Sequence, residues 1–566
     1  MLIGRGGVIF CGGAWFFIAE GVVLTKFWKT RSQLDSSMTI LGLKPDHDGA
    51  GAIIRGGVLE RVVEAEKDSR PRHSFFKSYD LFALLAQLEE LPDVVAIGGW
   101  NHDGTTARAP FDMDGCFSYE GLSAIGFRKY RIAGKEITLF GSSHERSHLA
   151  CAYALSPLPR GTPCYALVWE GRFGRFYRID EKFNITLIGE PLSWPGFRYK
   201  YLYYMANEAQ RAPWGPDFAS GPGKLMALAA YGREAQLDQE GAELMEILFS
   251  ARMEYIMSTP GIAKVNLPIR TVYKDIGVES ERFKHLARAF SDELFRRFLR
   301  FAEARLTEKL PLIIAGGCGL NCEWNAGWER SGLFSSVFIP PCANDSGAAI
   351  GTAADAYIAL TGETRVQWSI YAGDCLIEDL PEWTGFSRSP LDVERLAESL
   401  AHGKIVAWAR GRCEVGPRAL GNRSLLAAPF EKETTDRLNW IKQREPFRPI
   451  APVCLEEDMA LHFEGSQVSR YMLQFHRVKD ERLKAITHVD GTARVQSVAA
   501  TDNPDLYELL RAFKRKTGVG VLCNTSLNLK GKGFINRTSD LYSFVSARKV
   551  DLAVANQTVY LPVETP

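Results

Sequence analysis

From Met38 onward, short apolar runs alternate with helix-patterned segments, and three of those runs break into loops that carry glycine. MTILGL leads to His47-Asp48-Gly49-Ala50-Gly51, LIIA to Gly316-Gly317-Cys318-Gly319, and SVFIPP to Asn344-Asp345-Ser346-Gly347. Strands recurring between helices pack as an α/β architecture, the fold class predicted for this chain. A glycine loop after a strand lets backbone N–H groups approach a phosphate with no Cβ in the way. Any one such loop is equally well a tight turn; three in the same frame point to nucleotide handling. No Walker A sequence is present, which sets a P-loop NTPase aside.

At 566 residues the chain exceeds one ordinary core. The alternation loosens between Arg365 and Pro390, and a boundary is placed near Ala372, giving domains over 38–371 and 372–566. In the first, LFALLAQLEELP predicts a helix ended by Pro92, and VVAIGGW the strand after it. CYALVWEG and FGRFYRI predict a hairpin with Gly171 and Gly174 in its turn region. Phe283, Leu286, Phe290, Leu294, Phe298 and Phe301 recur at helical spacing, which predicts an amphipathic helix from Glu281 to Lys309. Residues 1–37 stand apart as a leader or a mis-assigned start. Val8 to Leu24 is an apolar run broken by Glu20, barely short of a membrane span of about 20 residues. The folded protein is expected to begin at Met38, with no membrane association.

The formal net charge of +1 supplies no attraction to nucleic acid, so none is expected as a partner. Eleven cysteines, scattered without a paired framework, read as the reduced thiols of a cytoplasmic protein.

In SSHERSHLACAYALS, His144 and His148 stand four apart at the start of a helix pattern, so both imidazoles share one face and can meet one ion. Neutral imidazole suits zinc, iron, nickel or copper. The pair alone is a weak signal and needs a carboxylate beside it. Asp345, between a strand and the helix start Ser346-Gly347, is the first candidate; Glu170, at the end of ALVWEG, is the second.

These residues fall within a longer series: SSHERSHLACAYALSP, GKLMALAAYG, LIIAGGCGLNCEWNAG, NDSGAAIGTAADAY, CEVGPRALGNRSLLA, KQREPFRPIAPV, HVDGTARVQSV and LCNTSLNLKG. The series resembles the O-carbamoyltransferases of the NodU/CmcH family, which modify nodulation factors and antibiotics, in family order from about Met38 to Asp540. The resemblance implies a Kae1-like first domain, an actin/Hsp70-type ATPase fold of two lobes, fused to a YrdC-like twisted α/β domain. It implies a divalent metal, iron before zinc, on His144, His148 and Asp345. The fourth family ligand is usually an aspartate in an Asp-Gly pair; here Glu170-Gly171 stands there, and the extra methylene shifts the carboxylate. Lys224, Gly317 and Asn321 fall in motifs that line the nucleotide cleft. Arg418, Lys442, Arg444, Arg448 and Arg494, with Asn524 and Ser526, fall in the signature motifs of the second domain, where arginine forks bind phosphate bidentately. His47 matches a family histidine near the acceptor and is the candidate base.

The implied reaction forms carbamoyl adenylate from carbamoyl phosphate and Mg-ATP, then passes the carbamoyl group to a hydroxyl of a small molecule or natural product. Arg418 and Lys442 are assigned to the first step. The alternatives are tRNA threonylcarbamoylation and a nucleotide-binding regulator of actin-like fold. One motif departs from the family: where Gly-Glu-Pro usually follows Asn-Thr-Ser, this chain has Gly531-Lys532-Gly533.

Overall fold

The structure is a computed structural model that describes residues 37–99, 120–122, 125–207, 220–258, 269–465 and 468–563. It also describes the backbone of three strands, Val8–Cys11, Ala14–Ala19 and Val22–Thr25, which pair as an antiparallel meander within the segment set apart above. The remainder of that segment and Trp100 of the VVAIGGW run lie outside the described residues. No helix among the described residues is long and apolar enough to cross a membrane.

The expected α/β alternation becomes three mixed sheets. The first contains β1 (Thr39–Lys44), β2 (Ala50–Arg55), β3 (Val58–Glu64), β4 (Val94–Gly98), β5 (Ile125–Ile132) and β6 (Lys135–Ser142), in the order β3-β2-β1-β4-β6-β5. β1 to β3 form an antiparallel meander, and β4 and β6 add parallel to β1. The second sheet repeats this plan. β7 (Cys164–Trp169), β8 (Gly174–Ile179) and β9 (Ile185–Gly189) form the meander, and β10 (Leu312–Ala315) and β11 (Val337–Phe338) add parallel to β7. The expected hairpin is β7–β8.

The third sheet has the order β12 (Phe386–Pro390), β19 (Thr558–Pro562), β18 (Leu552–Ala555), β13 (Val406–Ala409), β14 (Arg423–Ala427), β17 (Val521–Ser526), β15 (Ala451–Leu455), β16 (Gln496–Val498). Alternate residues feed cores on its two faces: Ala407 and Leu425 on one, Trp408 and Leu426 on the other. Ala372 is buried in the core of the first sheet, whereas Cys375 pairs with Arg412 of the last third of the chain. Nine cysteines are free, and the side chains of Cys11 and Cys116 lie outside the described residues.

Two helices are shorter than their patterns predict. α1 spans Ser78–Leu85 and stops well before Pro92. It has no basic residue in its last turn, and Glu89-Glu90 beyond it place negative charge where the helix dipole favours positive. α3 (Glu281–Arg305) ends before Lys309 because Leu306 turns extended to feed β10. Its Phe283, Leu286, Phe290, Leu294 and Phe298 are fully buried against the second sheet, as the spacing requires, with Phe301 half-buried.

Two helices position the site. α2 (His144–Leu155) is buried along all twelve of its residues, charges included. Each charge finds a partner: Arg146 Nε lies 2.8 Å from Asp355, and Glu145 accepts from Tyr177. α5 (Ala348–Thr361) packs directly on α2. A Cβ on Gly351 would stand 1.8 Å from the Ser147 carbonyl, so only glycine allows this approach. The short turn Asp345–Gly347 that opens α5 is thereby brought to the level of His144 and His148.

Candidate metal centre and anion cluster

Ser143 caps α2, its hydroxyl accepting from Arg146 N at 3.0 Å, so the helix begins at His144. The two imidazoles meet with Nε2 atoms 3.2 Å apart. Asp345 Oδ1 lies 3.6 Å from His144 Nε2 and 3.4 Å from His148 Nε2, and Glu170 Oε1 lies 3.3 Å from His148 Nε2. Bonds of about 2.0–2.2 Å separate tetrahedral ligands by roughly 3.3–3.6 Å, so this buried N,N,O,O set fits one divalent cation.

Glu170 remains in the set despite its extra methylene. Gly317 N donates to its Oε1 at 2.6 Å and Gly171 N to its Oε2 at 3.1 Å. The backbone between strand and donor needs glycine at 316, where φ is +95° and a Cβ would sit 2.4 Å from the Trp169 carbonyl. Burial pushes His144 well below the ordinary imidazole range, which leaves it neutral as a ligand must be. Burial works against ionised Asp345, but the Lys44 charge and hydrogen bonds from His148 and His47 hold it well below the carboxylate range.

His47 stands beside this set. Its Nε2 is 3.0 Å from Asp345 Oδ2 and its Nδ1 3.1 Å from Asp46, while Lys44 Nζ lies 3.4 Å from the same Asp345 oxygen. Against desolvation by its neighbours and the Lys44 charge, the two carboxylates raise His47, whose side chain is half exposed, to about 10. In this arrangement both ring nitrogens donate.

The cationic residues gather elsewhere, where the last third of the chain meets the first two sheets. Arg418 Nη2 donates to the Leu320 carbonyl at 3.2 Å, and Lys224 pairs with Glu445 at 2.7 Å. Arg448 Nη1 lies 3.9 Å from Glu445, and Arg444 Nε donates to Asn439 at 2.5 Å. Lys442 donates to Asn528, through the carbonyl at 3.0 Å and through Oδ1, which also accepts from Ser526 Oγ at 2.6 Å. Asn524 Nδ2 donates to Gln496 at 2.9 Å. Asn321 has a structural duty, capping α4 (Cys322–Arg330) through Glu323 N and Trp324 N.

Burial, then the neighbouring cations, lowers Arg418 to about 9 and depresses Lys442 and Arg444 well below their ordinary ranges. Arg418 Nε, Arg494 Nε and Asn524 Oδ1 are buried without a hydrogen-bond partner among the described residues. Partly buried like charges whose buried donors go unused favour the arrival of an anion.

Two basic residues that the motifs passed over stand near Asp48. Arg72 lines a small crevice of about 10 Å³ together with Asp48, Glu64, Glu66, Asn344, Ser346 and Pro417. Lys200, in the helix Pro195–Met205, is lowered by burial to about 7 against the pull of Asp48. Lys200 sits in an aromatic run that reads as core. Arg70-Pro71-Arg72 carries a usable signal, a basic residue on a rigid turn, as do Gly416-Pro417-Arg418 and Pro446-Phe447-Arg448.

Residues 117–354 match the family described as Carbamoyltransferase N-terminus, and residues 397–561 the one described as Carbamoyltransferase C-terminus. The chain is 43% identical over 529 residues to the 3'-hydroxymethylcephem-O-carbamoyltransferase of Amycolatopsis lactamdurans, covering 93% of this chain and 100% of that protein. It is 41% identical over 525 residues to the protein of the same name from Streptomyces clavuligerus, covering 92% and 99%. It is 32% identical over 543 residues to Nodulation protein U of Azorhizobium caulinodans, covering 87% and 94%. Among solved structures, the activator of the 2-hydroxyisocaproyl-CoA dehydratase of Clostridium difficile aligns at a TM-score of 0.33 and 11% identity over 57% of this chain and 95% of that one, a likeness too slight to bear on the fold. With both halves matched and its relatives covered end to end, the chain belongs to the NodU/CmcH family of carbamoyltransferases and is an enzyme of that class.

Proposed function

We propose that the protein is an ATP-dependent O-carbamoyltransferase that divides the reaction between two sites. Residues 372–566, read as a YrdC-like domain, form carbamoyl adenylate; residues 38–371, read as a Kae1-like domain, pass the carbamoyl group to a hydroxyl. The doubled sheet plan, a meander plus parallel strands on each side, supports the reading of two actin-type lobes. The observation that carries the proposal is the cluster of partly buried cations, two of them with a buried Nε that lacks a partner among the described residues, beside a separate four-donor set that could hold a metal. The names of the relatives support a small hydroxylated acceptor of the hydroxymethylcephem kind. Free cysteines suit the cytoplasm.

For atoms to balance, water first releases inorganic phosphate from carbamoyl phosphate and leaves carbamate. A carbamate oxygen then attacks the α-phosphorus of ATP, brought as its magnesium complex, and the bond to pyrophosphate breaks. Two like charges 4 Å apart cost about 4 kcal/mol at an effective dielectric of 20. Arg418, Lys442, Arg444, Arg448 and Arg494 offset that repulsion and hold the charge that grows on the departing pyrophosphate. Asn524 and Ser526 line the same cluster.

At the other site His144, His148, Glu170 and Asp345 would hold the divalent metal, iron or zinc, which supplies Lewis-acid polarisation of an oxygen. The acceptor oxygen attacks the carbamoyl carbon and AMP leaves with the electrons of the anhydride bond. His47 is the base we assign. It takes the proton at Nε2 in its neutral form, so its contact with Asp345 must loosen first, while Asp46 keeps the ring in place.

Family membership overturns the regulator alternative, and a net charge of +1 gives the tRNA alternative no electrostatic support. The test supplies synthetic carbamoyl adenylate to Arg418→Ala. Carbamoylation of a hydroxymethylcephem should persist, while activity from ATP and carbamoyl phosphate disappears. Loss of both in a folded protein overturns the division.

A further inference from the structure

The stretch after β3 runs along the last third of the chain and touches it at two places. One is the Gly531-Lys532-Gly533 turn that departs from the family. Pro71 and Lys532 form an antiparallel bridge there, with Ser69 N donating to the Phe534 carbonyl at 3.0 Å, Gly533 N to the Arg70 carbonyl at 2.9 Å and Arg72 N to the Gly531 carbonyl at 3.0 Å. The other place is Gly416, two residues ahead of Arg418. Its φ is +90°, and a Cβ on it would lie 2.5 Å from the Pro341 carbonyl, so only glycine fits.

Strand alternation brings a charged pair to this glycine. Val62 of β3 belongs to the same core as Val415 and Cys342, and Glu64, two residues on, faces the same way. Glu64 Oε1 accepts from Gly416 N at 2.7 Å, and Lys67 Nζ donates to the Gly416 carbonyl at 2.7 Å. The two side chains lie 3.6 Å from each other, and both residues are buried. The peptides on both sides of Gly416 are therefore held by the first domain. Pro417 follows with φ fixed by its ring, and Arg418 comes next. Beyond Arg418 the loop is held from within its own domain. Glu414 Oε1 accepts from Leu420 N and Asn422 N at 2.7 Å and from Arg423 N at 3.1 Å. The Arg418 side chain thus leaves a backbone pinned before and after it.

We propose that Glu64 and Lys67 are positioning residues for Arg418, gripping the two peptides of Gly416 from the first domain and so setting where the guanidinium meets its anion. A buried ion pair adds little to stability, because desolvation offsets its attraction; what this pair supplies is a fixed place for one loop. The inference rests on the reading of Arg418 as an anion-binding residue of the adenylate-forming site. Glu64 and Lys67 act through the Gly416 peptides and not on the substrate. The anion site of the last third of the chain is then complete only when docked on the first domain.

Calorimetric titration of the full chain with inorganic pyrophosphate tests this through a double-mutant cycle. Glu64→Leu should weaken binding about tenfold, within the range of coupling between residues of one network. Glu64→Gln, whose amide oxygen still accepts from Gly416 N, should recover most of that loss. Lys67→Met, which keeps the packing on the Phe534 ring 3.8 Å from Lys67 Nζ, should also weaken binding several-fold. The deciding background is Arg418→Met, in which Lys442, Arg444, Arg448 and Arg494 still attract the anion. There Glu64→Leu should change affinity less than twofold; Arg418→Lys serves as the background if binding to Arg418→Met is too weak to measure. Thermal melts confirm that each variant is folded, and if Glu64→Leu is not, Lys67→Met carries the same cycle. No binding to the unaltered protein, unaltered affinity in the single variants, or equal losses with and without Arg418 overturns the positioning role. Pyrophosphate release from ATP and carbamoyl phosphate is measured separately. If it is absent while the cycle shows the coupling, the adenylate reading falls and the positioning stands.

Discussion

Glu170 keeps its place in the candidate donor set because its surroundings are cut to its length. Two backbone N–H groups, from Gly171 and Gly317, hold its two oxygens, and Gly316 supplies the left-handed backbone that aims the second donor. Glu170→Asp therefore should not restore a better site. The shortened carboxylate retreats from both donors, and metal affinity should fall about 10- to 100-fold, the usual effect of losing outer support; competition with a chelator measures it. His144, His148, Asp345 and Glu170 are legible from the sequence because a turn of helix and two strand ends are local geometry. Arg72 and Lys200 are not. The turn at Pro71 marks Arg72 as a basic residue on a rigid loop but not what it faces, and Lys200, a lysine among tyrosines, carries no local mark at all.

At the level of elements, α2 and α5 decide whether the ligands converge. Both are alanine-rich, and their close approach turns on Gly351 against the Ser147 carbonyl. Gly351→Ala should push the helices apart, cost about 1–3 kcal/mol in stability as an overpacked core does, and lower bound metal at the same time. Denaturant unfolding and metal analysis check the two effects together; lost stability with metal retained would show that α5 does not position Asp345. The elements also mark where pattern reading works. The spacing locates α3 to within a few residues because one apolar face alone is enough to define it. The pattern overruns α1 because a proline marks where a helix must stop, while the charges ahead of it decide where it does stop.

The whole molecule holds a group of partly buried cations that outnumber the carboxylates facing them, Glu445 being paired with Lys224 and near Arg448, and stability should record this. Removing one uncompensated charge, as in Arg418→Met, should raise the melting temperature of the unliganded protein while pyrophosphate release is lost. A rise in activity or a marked fall in melting temperature would contradict the picture. Pyrophosphate at 100 times its Kd should add about 2.7 kcal/mol to the stability of the unaltered protein through linkage, and clearly less to Arg418→Met; thermal shift against ligand concentration measures both. The α/β alternation and the shared face of His144 and His148 follow from periodicity and spacing in the sequence, while the rest of the candidate metal set and the cationic set were reachable there only through the family resemblance of their motifs. Three features needed the tertiary structure: the doubling of the sheet plan, the pairing of residues 69–72 with 531–534, and the approach of Arg72 to Pro417 across one small crevice. Each joins segments more than a hundred residues apart or compares one sheet with another, and no local spacing encodes which distant surfaces will come to share one crevice.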